Sequence, residues 1–358
     1  MVKAVTRRVA LLVIILGFGV SSAGAWQETT GRDPAEWPFD ARSPWNYPVG
    51  SGAIFVPEEM PNWSVSGGGH ANIEQYSIPT YVATASDPLR RIFDRRRGPE
   101  PGVLRDVIRV PDEARPAVGT DGHLNIIDET HRWVVELYAV RRLPNGDLST
   151  KGFNRNDLRG PGAGFEGWQG SVASGTSSLG GMIRKGELVT GTAGLRTGIR
   201  HALQAVVPPS ALTWNAPGGR PFVWPASSAD TPAFRHRGYE PAGNVYMGSL
   251  LAIPPAVDID ALGIGDPQAR EVARALQDYG VYIVDTGGIR NDRIVIRIDP
   301  QAADEIRDRR AFASGLSLAL RQLLVVANSH SGGKAPPVPG GGGVPRRPLP
   351  PPFVESPR

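Results

Sequence analysis

Short apolar segments punctuated by Gly and Pro run along most of the chain, and several alternate strictly between apolar and polar positions. The clearest alternation follows Asp121-Gly122. There His123–Ile127 and Arg132–Arg141 flank the turn-prone Asp128-Glu129-Thr130-His131, which predicts a β-hairpin. Further strands are predicted over Ile78–Ala83, Gly198–Val207, Pro221–Trp224, Val245–Ile253, Val281–Thr286 and Arg293–Asp299. Helical spacing appears in three places. Asp87-Pro88 has the cap-then-proline order of a helix start and predicts a short helix through Arg95. Asp266 caps and Pro267 opens a second helix, whose stripe is Ala269, Val272, Ala273 and Leu276 and whose end is Gly280. A third stretch runs from Ala302 to about Asn328, with Gly315 as its expected interruption. The pattern predicts a mainly β fold, an antiparallel β-sandwich of jelly-roll-like form with a few peripheral helices. No 40–50-residue repeat of the kind a propeller needs is present.

The two ends depart from this pattern. Lys3, Arg7 and Arg8 precede an unbroken apolar run from Val9 to Val20, followed by Ser21-Ser22-Ala23-Gly24-Ala25. These are the parts of a secretory signal peptide, with cleavage expected after Ala25 and a mature chain starting at Trp26. The apolar run is too short to span ~30 Å of hydrocarbon, so no stable membrane anchor is expected. From Ser329 onward the composition is Pro- and Gly-rich with little to bury, and 329–358 reads as a disordered tail. The expected organisation is therefore a leader over 1–25, one β-sandwich domain over 26–328, and a tail, in a protein secreted or released to the periplasm.

Composition narrows the chemistry further. The chain has no Cys, which excludes disulfides, thiol catalysis and thiolate metal sites together. Its formal charge of +4 comes largely from the leader and tail, and the central region is near neutral, so no nucleic-acid footprint is expected. The six histidines show no metal spacing, and no cofactor is implied. Ca²⁺ held by loop carboxylates is the one metal left open. The Gly-rich stretch 160–181 lacks a phosphate-cradle signature, and Ser174 and Ser177 lack a nucleophile elbow.

The hairpin concentrates the acid–base residues. A four-residue loop at 128–131 would place His123 opposite Glu136 and Asp121 opposite Tyr138. All four side chains then project from one face, with Leu124, Ile126, Trp133, Val135, Leu137 and Ala139 on the other. Two carboxylates, an imidazole and a phenol form an acid–base inventory. The competing reading is a solvated outer sheet face. His201 alternates with Ile199, Leu203 and Ala205, so it is either a buried structural histidine or a proton-transfer group in a semi-apolar cleft. Arg184, between glycines, suits bidentate capture of a substrate carboxylate, or equally a bridge to Glu187 or Asp121. Trp168 in the Gly-rich loop offers a stacking surface for a sugar ring, and His70 after Gly67-Gly68-Gly69 is a loop histidine able to line the same cleft.

Several stretches, in order from about 43 to 290, resemble a family of uncharacterised secreted bacterial proteins. They are Ser43-Pro44-Trp45-Asn46, Asp121-Gly122-His123-Leu124-Asn125-Ile126-Ile127-Asp128, Glu136-Leu137-Tyr138, Gly180-Gly181-Met182-Ile183-Arg184, Ile199-Arg200-His201-Ala202-Leu203, Val223-Trp224-Pro225-Ala226, and Ala275-Leu276-Gln277-Asp278-Tyr279-Gly280 with Asp285. The resemblance implies a carbohydrate-associated protein and brings no established reaction. Together the readings point to an exported enzyme acting on a polysaccharide or other envelope glycan, by hydrolysis or elimination. Asp121, Glu136, His201 and Tyr138 are its expected catalytic groups, and Arg184, His123, Trp168 and His70 its expected binding groups. The alternative is a non-catalytic glycan- or envelope-binding module. Convergence of Asp121, Glu136, Arg184 and His201 in one cleft would favour the enzyme.

Overall fold

The computed structural model describes residues 31–58, 70–163, 170–189, 198–287, 293–330 and 337–354; the leader and Trp168 lie outside them. The fold is mainly β, with three sheets, none of them closed. Each sheet is mixed rather than purely antiparallel.

The largest sheet orders its strands Phe55–Val56, Leu324–Val326, Leu250–Ala252, Val281–Thr286, Leu203–Val207, Val295–Ile296 and His70–Ala71. Two of its pairings are parallel, Leu203–Val207 with Val281–Thr286 and Val295–Ile296 with His70–Ala71. The second sheet contains the hairpin, in the order Gly152–Asp157, Trp133–Tyr138, Leu124–Ile127, Thr80–Val82. The third holds Val103–Arg109, Leu89–Asp94, Leu148–Thr150 and Arg141–Arg142.

Alternation along the strands explains how the sheets are buried. In Val281–Thr286, Val281 and Ile283 join an apolar cluster with the helices, while Tyr282 and Val284 join a cluster with Trp45, Ile127 and Val134. The large sheet is thus covered on both faces. Within the hairpin, Leu124, Ile126, Val135 and Leu137 turn the other way, onto Ile92, Ile108 and Leu148 of the third sheet. Trp45 anchors the N-terminal segment by burial, by an edge-on contact with Tyr282 and by donating from Nε1 to the Gly162 carbonyl at 2.8 Å.

The capped helix forms as expected over Pro267–Asp278, with Asp266 accepting from the Ala269 N–H at 2.7 Å. The third helical stretch divides into Pro300–Ala303 and Arg309–Leu320, then a strand at Leu324–Val326. Gly315 does not interrupt Arg309–Leu320. It lets this helix cross its neighbour, since a Cβ there would stand 2.7 Å from the Ala269 Cβ. Asp87-Pro88 opens the strand Leu89–Asp94 rather than a helix. Ile92 and Asp94 point inward from a two-residue period, and pairing on both sides outweighs the local cap signal.

The C-terminal segment also departs from expectation, since residues 337–354 lie against the N-terminal segment instead of in solvent. Gly50 bridges to Pro345 and Arg32 to Phe353, whose ring lies 3.8 Å beneath the Arg32 guanidinium. Arg347 donates to Asp278 at 2.6 Å. Gly340 and Gly343 have positive φ and permit near contact of two backbones; a Cβ on Gly340 would sit 2.1 Å from the Pro48 carbonyl oxygen. Glycine, which reads as disorder in composition, here serves close approach.

Candidate active site

The hairpin turn closes through Asp128, whose Oδ1 accepts from the N–H groups of Arg132 and Trp133, both at 2.9 Å. The loop keeps four residues but sits at 129–132, one residue further on than expected. Asn125 therefore opposes Glu136, and Leu124 opposes Leu137. His123 comes against Tyr138, with ring centroids 5.2 Å apart. A two-residue change of partner preserves which face each side chain takes, so Asp121, His123, Glu136 and Tyr138 do share a face. That face looks toward the large sheet rather than open solvent.

Glu136 is the consequence of that enclosure. It is 0% exposed and accepts four hydrogen bonds, from Asn156 Nδ2 at 3.0 Å, Ser171 N at 3.1 Å, Ser178 N at 2.9 Å and the Ser177 hydroxyl. Burial pushes its pKa up, and the four donors oppose that by favouring the carboxylate. Three of these donors come from the 171–178 loop and one, Asn156, from the neighbouring strand, so the carboxylate ties the loop to the hairpin sheet.

Beside it opens a cavity of about 550 Å³, whose lining includes Asp121, His123, Tyr138, Asp230, Asp285 and Thr286. Asp285 and Thr286 end the strand that runs parallel to Leu203–Val207, so the site lies at the carboxyl ends of a parallel pair, a favoured place for ligands. Thr286 ties two carboxylates together. Its N–H donates to Asp285 Oδ1 at 2.9 Å and its hydroxyl to Asp230. Arg297, itself buried, pairs with the other side of Asp285.

The electrostatics separate the roles of these groups. Burial, opposed by Arg297 and reinforced by the Asp230 charge, pushes the Asp285 carboxyl up to about 7. Asp230 is raised by the same burial, with Thr286 and Arg297 opposing and Asp121 adding to it. Tyr138 is raised by burial and then by Asp121, Asp285 and Asp230. His123 is held down to about 3 by burial and by Arg297, so its imidazole is neutral near pH 7. The cavity thus offers a protonatable carboxyl, further carboxylates, a phenol and an uncharged imidazole.

Arg184 and His201 lie elsewhere. Both engage Glu187, Arg184 at 2.8 Å and His201 Nε2 at 3.1 Å, in a buried network. Burial alone would raise Glu187; the charges of Arg184 and His201 outweigh it and hold the group down to about 2. His201 leads into the start of Leu203–Val207, whereas Asp285 pairs with Val206 near its end. About five residues of extended chain, roughly 16 Å, separate them. The expected four-residue cleft therefore divides into a cavity with Asp121, a scaffold around Glu136 and a distant network around Glu187. His70 and Ala71 form the outer strand of the large sheet, beside Val295–Ile296.

Sequence reasoning gave Asp230 and Arg297 no role and assigned none to Asp285. The available signal was a carboxylate closing the apolar run Val281–Val284 just before Thr286-Gly287, as expected where a buried strand emerges at a site. Among the described residues no group of three or more His, Asp or Glu is arranged to hold a metal ion, and no helix is long and apolar enough to cross a membrane. No protein family, characterised protein or solved structure matches the chain.

Proposed function

We propose that this is an exported enzyme that cleaves glycosidic bonds in a polysaccharide, its site supported on a sandwich-like stack of sheets. The observation that carries the reading is the joining of Asp230 and Asp285 by Thr286 in a cavity that Asp121 enters from the opposing sheet. Burial and the neighbouring Asp230 charge both disfavour ionisation of Asp285, which is pushed up to about 7, so Asp285 is the general acid. It transfers that proton to the glycosidic oxygen as the C–O bond breaks. Asp121 takes a proton from the water that adds to the anomeric carbon. Tyr138 and His123 border the reacting sugar, and Arg297 holds Asp285 in place.

Elimination is the second reading, favoured by the Tyr138 phenol at the same cavity. The two are separated by their products, because only elimination leaves an ultraviolet-absorbing unsaturated end. The test is reducing-end release from a panel of bacterial and plant polysaccharides by the wild type, Asp285→Asn and Asp121→Asn. Each variant is expected to lose on the order of 100-fold or more in turnover, the scale of a lost acid or base. Wild-type rates in both variants would overturn the assignment.

A further inference from the structure

Beside Asp230 lies a cluster of rings that the site described above does not use. Asp230, on the cavity lining, is the N-cap of the helix Thr231–Phe234, so Phe234 follows it by one helical turn, about 6 Å along the axis. Phe234 is 54% exposed and meets Phe222 at a ring-centroid distance of 6.5 Å. Two residues on, the exposed His236 lays its ring on Trp214, with centroids 3.7 Å apart and planes 14° from parallel. His236 holds a left-handed backbone, φ 53°, and strain of this kind at an exposed position is a mark of functional segments. The segment is fixed to the loop of the cavity wall, since Ser227 N and Ser228 N both donate to the Ser174 carbonyl, at 2.9 and 3.1 Å. It also shares the sheet end at which Asp285 emerges. Leu203–Val207 and Val281–Thr286 run parallel, and Trp214 comes soon after the first of them.

Resting on the glycan-cleaving reading above, we infer that this cluster is a stacking platform for the part of the sugar chain outside the cavity. Phe234 is its exposed face, and Trp214 and His236 extend it. The occupant is a polysaccharide longer than the cavity holds. A pyranose ring presents C–H groups on its faces and hydroxyls around its edge; aromatic faces take the first and side-chain N–H donors the second. Both are present here. Arg235 and Arg237 flank His236, are exposed, and among the described residues make no ion pair. Aliphatic contact surface is lacking, since residues 214–240 contain no Leu, Ile or Met and their single Val, Val223, is buried. Continuity with Asp230 favours the chain that enters the cavity over an unrelated macromolecule, because one turn of helix separates a cavity carboxyl from the first ring.

The test is affinity electrophoresis of the full chain in gels containing xylan, glucomannan, mixed-linkage β-glucan or dextran. Oligothymidylate is a further arm, and sedimentation velocity reads self-association. At least one polysaccharide is expected to retard the wild type, and the retardation should persist at about 0.5 M salt, where contacts to phosphate weaken. Phe234→Ala, at an exposed position, should weaken that affinity by about fivefold or more, the scale of a lost aromatic contact, with Tm unchanged. Phe234→Tyr keeps the ring face and should restore it. The inference is overturned by no retardation in any of the four polysaccharides, by unchanged affinity in Phe234→Ala, or by a preference for oligothymidylate. A wild-type dimer that Phe234→Ala dissociates would also overturn it, by assigning the rings to a second copy. Reducing-end release together with any of those results would leave the enzyme reading standing, whereas ring-dependent polysaccharide binding with no turnover would remove only the enzyme reading.

Discussion

The Ser178 N–H donates to Glu136 Oε2 at 2.9 Å and so fastens the loop that forms one side of the cavity to the floor of the hairpin. Ser171 N donates to the same oxygen at 3.1 Å. Glu136→Gln keeps the shape but turns an amide NH₂ toward one pair of these donors. The expected result is a loss of about 2–4 kcal/mol of unfolding free energy in urea, the scale of buried donors left unpaired. A variant as stable as the wild type would show the carboxylate to be dispensable as a scaffold.

Asp285 makes stability fall with pH. Its folded pKa, about 7, lies above the ordinary 3.8, so between those values the folded chain holds a proton that the unfolded chain has released. Unfolding free energy therefore declines as pH rises through that window. Asp299, raised by burial to about 6, acts in the same direction but is complete earlier. Between pH 6 and pH 8 the remaining Asp299 contribution is common to both proteins, so the difference between them reports Asp285: Asp285→Asn should lose less stability over that interval than the wild type. Equal losses would contradict the raised carboxyl.

The Glu187 network should matter to folding and not to chemistry. His201→Ala leaves Glu187 with one charged partner and opens a cavity in a buried position, so a loss of about 3–5 kcal/mol is expected. Because the network lies at the far end of the strand from Asp285, the pH profile of kcat should not move. In acid the Glu187 contribution is lost as pH falls from about 4.5 toward 2. A shifted kcat profile in His201→Ala would connect the two ends.

Truncation after His330 should lower Tm clearly, because it removes the Arg32–Phe353 stacking, the Arg347–Asp278 ion pair and the strand-like contact of Gly50 with Pro345. An unchanged Tm would show the segment to contribute nothing.

At Gly315, alanine is expected to cost about 1–3 kcal/mol by overpacking the helix crossing. That runs against its helix propensity, which favours alanine over glycine by about 1 kcal/mol. A stabilised Gly315→Ala would mean the crossing relaxes freely.

Period was the most legible quantity in the sequence. The hairpin faces survived a change of pairing partner because side chains repeat every two residues, and the Asp266-Pro267 helix carried its own start and stop. Burial of the hairpin's polar face was not legible, since alternation shows that Glu136 and Leu137 point apart and says nothing of what covers Glu136. Asp87-Pro88 misled because a cap signal is local, whereas the strand at Leu89–Asp94 is selected by partners as distant as Leu148–Thr150. Asp230 stayed hidden because it meets Asp285 only through Thr286, across 56 residues of sequence. Residues 337–354 misled for another reason, since their ordering comes from backbone proximity and two arginines rather than from apolar area.

The docking of Arg32 on the far end of the chain also sets an order of assembly. Its Nε–H donates to the Pro351 carbonyl at 2.7 Å, 319 residues away, so this one contact waits for Pro351, whereas the same guanidinium meets the Pro38 and Phe39 carbonyls within its own segment. A chain lacking Pro351 and Phe353 would therefore keep the local bonds of Arg32 and lose only the long-range ones, so the guanidinium works as a clasp whose near half is set before its far half arrives.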